Sequence, residues 1–68
     1  MVIALQRQRV TCELVTSKAT ICGCSPTDIA LGHWTASYWL RRGRSVSHAV
    51  QRGLAQAHRL MDLRTSAA

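Results

Sequence analysis

An uninterrupted apolar stripe in the last third of the chain limits the possible folds more than any other pattern. Its members recur at spacings of three and four residues, the period of one face of an α-helix. They are Val46, Ala49, Val50, Gly53, Leu54, Ala57, Leu60 and Met61. Ser45 can cap this helix, which we expect to run from Val46 to about Leu63. The stripe should pack against the elements that precede it.

A second helix is predicted just before it by clear start and stop signals. Ser25 is a hydroxyl N-cap, Pro26 suits the first helical position, and Asp28 adds a carboxylate three residues after the cap. We expect this helix to run to about Arg42, because Gly43 favours a left-handed stop. The link to the following helix is so short that the two helices should be antiparallel neighbours.

The first third of the chain has the period-two pattern of a half-buried strand. Val10, Cys12 and Leu14 alternate with more polar residues. We therefore expect a β-hairpin in which residues 9–15 form one strand, residues 16–18 the turn and residues 19–22 the return. Residues 1–8 could add an edge strand or form an extended arm.

Together these elements predict a single α+β domain over residues 1–68. In it, an N-terminal β-hairpin of two or three short strands packs against an antiparallel two-helix hairpin, in the order ββαα. A chain this short is expected to be marginally stable, because ordering costs roughly 1.5 kcal/mol per residue and nearly cancels the gain from apolar burial. Residues 65–68 carry nothing that would anchor them, so we expect them to fray.

The charge balance favours an anionic partner. Nine Lys and Arg residues stand against three acidic ones, for a formal charge of +6. Eight of the nine are Arg, whose guanidinium group binds phosphates and carboxylates bidentately. A codon bias toward Arg would explain the same composition, and the sequence leaves both explanations open.

The candidate binding segment lies at the end of the first predicted helix, where aromatic and guanidinium groups alternate. Such a composition is typical of base stacking, phosphate binding or interface hot spots. Trp34 opens the segment, but we expect it in the core. The candidate partner-binding residues are Tyr38, Trp39, Arg41, Arg42 and Arg44, with Lys18, Arg7, Arg9, Arg52 and Arg59 as further cations. In the alternative interpretation, Trp39 half covers the hairpin, and Arg41 and Arg42 only satisfy the helix end.

Cysteine and histidine residues raise the question of zinc. Strand cysteines and a helical histidine can form a tetrahedral set, here Cys12, Cys22, Cys24 and His33. The spacing fits the common zinc knuckle poorly, although residues 22 and 24 would share a face on a strand. The alternative is that Cys12 and Cys22 are small buried hydrophobes. We therefore predict no metal or other cofactor, and we expect His33, His48 and His58 to be solvated.

The small residues Ala49, Gly53 and Ala57 form a ridge at intervals of four within the last helix. Glycine inside a helix costs about 1 kcal/mol relative to alanine, so something should approach it closely. We expect the preceding helix to fill this ridge through a bulky side chain, Trp34 or Leu40. A second copy of the chain, giving a homodimer, is the alternative.

The sequence argues against an enzyme. The three acidic residues are scattered, and neither a glycine-rich phosphate loop nor a nucleophile motif is present. A DNA-reading helix-turn-helix is also not expected, because Trp39 occupies a position that must be small for the helices to cross.

Association with a membrane surface is not expected, because alanine, glycine and valine dominate the apolar stripe of the last helix and insert poorly. Two binding functions remain. The first is an accessory or regulatory protein that docks on nucleic acid or a nucleoprotein. The alternative is a modulator or inhibitor of a larger host protein, of the kind that phages and mobile elements encode. No membrane span or secretory signal is recognisable, and three free cysteines favour a reducing cytoplasm.

Overall fold

The protein is a bundle of three helices in the computed structural model, which describes the backbone of residues 2–67 and the side chains of residues 5–66. Helix α1 spans Val2–Ile21, α2 spans Pro26–Arg41 and α3 spans Val46–Ala67. The predicted α+β fold is wrong, because residues 2–67 contain no strand. None of these helices combines the length and the hydropathy needed to cross a bilayer. Met1 and Ala68 lie outside the described residues.

Helix α1 replaces the predicted β-hairpin, and its buried side is not the one that the alternation suggested. Thr11, Val15 and Ala19, four residues apart, are fully buried. Val10 and Leu14, which were expected to face inward, are 46% and 38% exposed. Spacing by four defines one face of a helix. The predicted turn at residues 16–18 and the predicted edge strand or arm at residues 1–8 therefore both give way to this helix.

A buried threonine on α1 is compatible with a helical core because its hydroxyl has a partner in its own helix. Thr11 Oγ1 donates a hydrogen bond to the Arg7 carbonyl oxygen at 2.6 Å. A hydroxyl bonded to the preceding turn no longer needs water, so burying it does not leave an unsatisfied polar group. The β-branched residues that favoured a strand are thus accommodated inside a helix.

Helix α1 ends in a glycine motif that the hairpin prediction overlooked. Gly23 has a φ of +88°, which a residue with a Cβ adopts only at a cost. The Cys24 N–H donates to the Ala19 carbonyl at 3.0 Å, and the Gly23 N–H donates to the Thr20 carbonyl at 3.0 Å. This is the Schellman arrangement, which satisfies carbonyls at the helix end and turns the chain toward α2.

The predicted boundaries of α2 are confirmed. The Ser25 backbone N–H donates to Asp28 Oδ2 at 2.8 Å, and the Asp28 N–H donates to Ser25 Oγ at 3.4 Å, so both bonds of a capping box are present. Gly43, with a φ of +84°, ends the helix as expected. The Arg44 N–H donates to the Trp39 carbonyl at 3.1 Å in a second Schellman arrangement.

Helix α3 begins at Val46, as predicted, and extends past the expected end at Leu63 to Ala67. The His48 N–H donates to Ser45 Oγ at 3.1 Å, which confirms the cap. The side chains of residues 65 and 66 are exposed. Fraying of residues 65–68 concerns their motion and stays a prediction, and Ala68 lies beyond the described part.

The centre of the bundle is a close approach of α2 and α3 at two glycines. A Cβ placed on Gly53 would lie 2.6 Å from the Gly32 carbonyl oxygen, so the two backbones are almost in contact. Around this point Ala36, Ala49 and Ala57 are fully buried. The prediction that α2 fills the ridge of α3 is confirmed. Trp34 is not an occupant, whereas Leu40 packs against the part of the core that contains Ala49. At the two glycines, small residues meet small residues.

Helix α1 completes the core from one side. Its Val15 places Cγ1 3.0 Å from where a Cβ of Gly32 would be, and Cγ2 3.3 Å from where a Cβ of Gly53 would be. One branched side chain therefore covers both glycines. The ridge predicted as a homodimer contact is covered within a single chain, so a dimer through Ala49, Gly53 and Ala57 would require helices to be exchanged between copies.

One buried ion pair ties the start of α2 to the end of α3. Asp28 is fully buried, and Arg64, which is half-exposed, donates to its Oδ2. Burial alone would raise the pKa of Asp28, but the hydrogen bonds from the Ser25 N–H and from Arg64 together hold that pKa below its ordinary value. The carboxylate therefore stays ionised inside the bundle, and the pair lies at the end opposite to the α2–α3 turn.

Candidate functional site

A groove opens between α2 and α3, and residues of these two helices alone line it. Its volume is about 490 Å³, within the range of roughly 300–1,000 Å³ that ligand sites have. We call it the aromatic groove; its lining residues are Trp34, Thr35, Tyr38, Trp39, Arg52, Ala55, Gln56 and Arg59. The groove exists because the small residues between the helices leave the large side chains on the outer edges.

Trp34 is 71% exposed at the rim of this groove, so its predicted place in the core is wrong. The reason is its position on α2. Gly32 and Ala36 face α3, and Trp34 lies two residues from each of them, so in a helix with 3.6 residues per turn it points away from that contact and reaches only the outer rim of the groove. The backbone contact at Gly32 also leaves no room for an indole between the helices.

Tyr38 and Trp39 form the end of the groove nearest the α2–α3 turn. Their rings meet edge to face, with centroids 5.3 Å apart. Trp39 is half-buried against the core and its ring also meets the His48 ring edge to face at 5.1 Å. It covers no hairpin, contrary to the alternative interpretation, because α1 is a helix. Tyr38 remains 45% exposed.

Two guanidinium groups lie over these rings. Arg42 Cζ is 5.5 Å from the centroid of Tyr38, and Arg52 Cζ is 5.2 Å from the centroid of Trp39. Both distances are within the roughly 6 Å at which a cation is attracted to an aromatic face. The cations are therefore held beside the groove rather than ranging freely through solvent.

Four exposed arginines gather at the end of the bundle next to the groove. We call this group the arginine corner; it consists of Arg7, Arg41, Arg42 and Arg44. Arg7 extends from α1 to this group, and its Nη2 donates a hydrogen bond to the Arg44 carbonyl oxygen at 3.0 Å. Within residues 5–66 the single ion pair is the one between Arg64 and Asp28, so the corner's charges are not neutralised by a carboxylate. Arg42 connects the corner to the groove through Tyr38.

The other predicted cations are divided between different surfaces. Arg52 and Arg59 line the aromatic groove. Lys18 lies beside a separate, largely apolar groove of about 430 Å³ between α1 and α3, and on α1 it is 11 residues, roughly 16 Å, from Arg7. Arg9 is exposed on α1. The structure thus places Arg52 and Arg59 in the groove and Arg42 beside it. Arg7 and Arg41 line a separate cleft of about 120 Å³ on the α1–α2 side, and Lys18 and Arg9 lie outside both.

Trp34 and Gln56 belong to the site although neither was among the predicted site residues. The helical spacing of the residues around Trp34 and Gln56 could have identified both. Once Gly32 and Ala36 are paired with the ridge of α3, Trp34, two residues from each, must point away from that contact. Gln56 lies between Arg52 and Arg59 on α3, with the spacing of one helix face.

The proposed zinc ligands are not brought together. Cys12 is half-buried within α1, Cys22 is exposed at its end, and Cys24 is buried, so Cys22 is not the buried hydrophobe that the alternative predicted and shares no strand face with Cys24. His33 Nε2 lies 2.6 Å from Thr16 Oγ1. Among the described residues, no three His, Cys, Asp or Glu side chains form a group that could hold a metal ion.

The three histidines are less solvated than expected. All are half-buried, and Nε2 of His48 and of His58 is shielded from solvent without a hydrogen-bond partner among the described residues. The ring of His48 contributes apolar surface to the packing of α3 through its contact with Trp39.

Comparisons of the chain with protein-family models, with curated proteins and with solved structures each found no match. A fold alone does not determine a function. A function must therefore be inferred from the aromatic groove and the arginine corner.

Proposed function

We propose that the protein is a small, non-enzymatic accessory protein that docks on nucleic acid or a nucleoprotein through the aromatic groove and the arginine corner. One observation carries the proposal: the exposed ring of Trp34 shares a continuous surface with unneutralised guanidinium groups. Aromatic faces and guanidinium groups are the two kinds of group that bind bases and phosphates without an active site.

Charge favours an anionic partner at this surface. None of the three acidic residues lines the groove. Asp28 is buried and paired with Arg64, Glu13 is on α1, and Asp62 is near the end of α3. The field around Arg52, Arg59 and the arginine corner is therefore positive, and it would attract a phosphate backbone over a distance of about one Debye length, roughly 8–10 Å in ordinary buffers.

Salt dependence tests this proposal directly. Binding of fluorescently labelled oligonucleotides is followed by anisotropy between about 50 and 300 mM salt. We expect affinity to fall linearly with salt on logarithmic axes. Replacing Arg41, Arg42 and Arg44 by Gln should reduce the slope by roughly two to three, because each lost phosphate contact lowers it by about 0.7–0.9.

The matched control removes charge outside the surface. In the variant Arg9→Gln/Lys18→Gln, the change in charge is two rather than three, but no described contact to the groove or the corner is lost. We expect its slope to change by much less than that of the corner variant. Equal slopes for the two variants would show that general charge attraction, and not this surface, binds the nucleic acid.

A modulator of a larger host protein is the second candidate, and the exposure of Trp34 favours it, since tryptophan and arginine are enriched in interface hot spots. Capture of partners from lysate, with and without nuclease, separates the two. A partner that is retained after nuclease treatment and at about 0.5 M salt, where phosphate binding is strongly weakened, contradicts the nucleic-acid proposal. The cytoplasmic location that the free thiols favour remains part of both proposals.

A further inference from the structure

We propose further that the aromatic groove takes the unstacked bases of a single strand, with Trp34 as the stacking surface, while the arginine corner holds the adjoining phosphates. This inference rests on the proposed function and specifies its ligand. It follows from which aromatic faces are free, from the size and form of the groove, and from the placement of the cations along it.

Trp34 differs from the other two large aromatic residues in what covers its ring. Arg42 lies over Tyr38, and Arg52 lies over Trp39. Among the described residues, no guanidinium group or aromatic ring lies against Trp34, which is 71% exposed. A planar base that stacks on Trp34 therefore displaces no guanidinium group and no aromatic ring.

A duplex offers little to such a surface. Its bases are stacked on one another, so a protein meets only base edges and the sugar-phosphate backbone. An exposed indole face is used when bases are separated from their neighbours, as in single strands and loops. The groove is concave and its volume of about 490 Å³ is that of a small-molecule site, which suits individual planar rings rather than a rod-like helix.

The cations follow the groove in a way that suits an extended backbone. Arg52 and Arg59 are seven residues apart on α3, which corresponds to roughly 10 Å along the helix. At the C-cap of α2, Arg42 lies eight residues beyond Trp34, roughly 12 Å away along the axis, and it is part of the arginine corner. A strand with a base on Trp34 can thus contact guanidinium groups on both sides of that base.

The experiment compares three probes of equal length at one salt concentration: an oligo-dT, an oligo-rU and a DNA hairpin duplex. We expect the better single strand to bind at least tenfold more tightly than the duplex. The two single-stranded probes distinguish DNA from RNA as the source of the strand. Binding should quench tryptophan fluorescence, and the variants Trp34→Phe and Trp39→Phe assign the quenching to Trp34.

Substitution of Trp34 separates stacking from charge. Trp34→Ala should weaken binding of the single strand roughly 5- to 150-fold, the loss expected for one stacked base, and should leave duplex binding unchanged. Ile21→Ala, which removes an exposed apolar side chain at the end of α1, is the control and should leave both affinities unchanged. Helical circular dichroism confirms that each variant folds.

The outcomes distinguish this inference from the function it rests on. If duplex and single strand bind equally and Trp34→Ala affects neither, the stacking inference and the part assigned to Trp34 are wrong, while docking on nucleic acid through the guanidinium groups stands. If no probe binds with a dependence on salt and on the arginine corner, the proposed function fails as well.

Discussion

The close approach of α2 and α3 makes Gly53→Ala an informative substitution. In an unconstrained helix, alanine is favoured over glycine by about 1 kcal/mol. At this position the new Cβ would lie 2.6 Å from the Gly32 carbonyl oxygen, 3.2 Å from Ala36 Cβ and 3.3 Å from Val15 Cγ2. The first of these neighbours is backbone and cannot rotate away, so α2 and α3 must separate.

The size of the effect follows from these two opposing terms. Adding a methyl group to a packed core costs about 1–3 kcal/mol, and the contact with a backbone atom puts Gly53 in the upper part of that range. After the gain in helix propensity, we expect a net loss of about 1–2 kcal/mol. For a domain of 60–100 residues, each kcal/mol lowers Tm by about 4–8 °C, so Tm should fall by roughly 5–15 °C in a thermal circular dichroism scan.

Gly32→Ala is the matched comparison, because it has the same intrinsic propensity gain at the other side of the same crossing. Its Cβ would lie 3.0 Å from the side-chain atom Val15 Cγ1 and 3.1 Å from the Gly53 carbonyl oxygen, so smaller shifts relieve it. We expect Gly32→Ala to be less destabilising than Gly53→Ala. A rise in Tm for Gly53→Ala, as propensity alone predicts, would refute the backbone contact at the centre of the fold.

Two further predictions concern the ionisable groups near the α1–α2 connection. Because the pKa of Asp28 is lowered in the folded state, its contribution to stability is fully present above the ordinary Asp pKa of about 4 and is lost as pH falls through its lower folded value. When Tm is measured as a function of acid pH, it should therefore depend less on pH for Asp28→Asn than for the parent. Identical pH dependence in the two proteins would contradict the buried ion pair with Arg64. Burial raises the pKa of the Cys24 thiol, whereas Cys22 is exposed. A thiol reagent should therefore modify Cys22 first and Cys24 only on unfolding, as measured by mass spectrometry. Equal modification rates in the native protein would contradict the burial of Cys24.

The sequence predicted α2 and α3 because their signals are local. A capping box at Ser25, a glycine stop at Gly43 and a long stripe of period three and four each act within a few residues. Helix α1 has none of these advantages at its start. Its buried face consists of Thr11, Val15 and Ala19, whose modest hydrophobicity was outweighed by the apparent alternation of its more exposed neighbours. Packing of Val15 against Gly32 and Gly53, rather than the local sequence pattern, therefore favours the helical form of this segment.

The residues of the candidate site could be predicted in part for a similar reason. Net charge and the clustering of Tyr38, Trp39 and the arginines are visible in the chain, and the structure brings most of these residues together. The place of Trp34 was not predictable from its own hydrophobicity, which favours burial. The position of Trp34 depends on which face of α2 contacts α3. Gly32 determines that face, and its importance becomes visible only once the two helices are paired.

The same packing separates the fold from the proposed binding surface in this molecule. The core is made of small side chains, with Val15 the largest fully buried one, so the helices lie close and large rings are displaced to the outer surface. A ring that contributes little to the core can be changed without loss of the fold. We therefore expect Trp34→Ala to leave Tm nearly unchanged, whereas Gly53→Ala, which adds only a methyl group, should lower it. That contrast is what a surface maintained for binding, rather than for folding, requires.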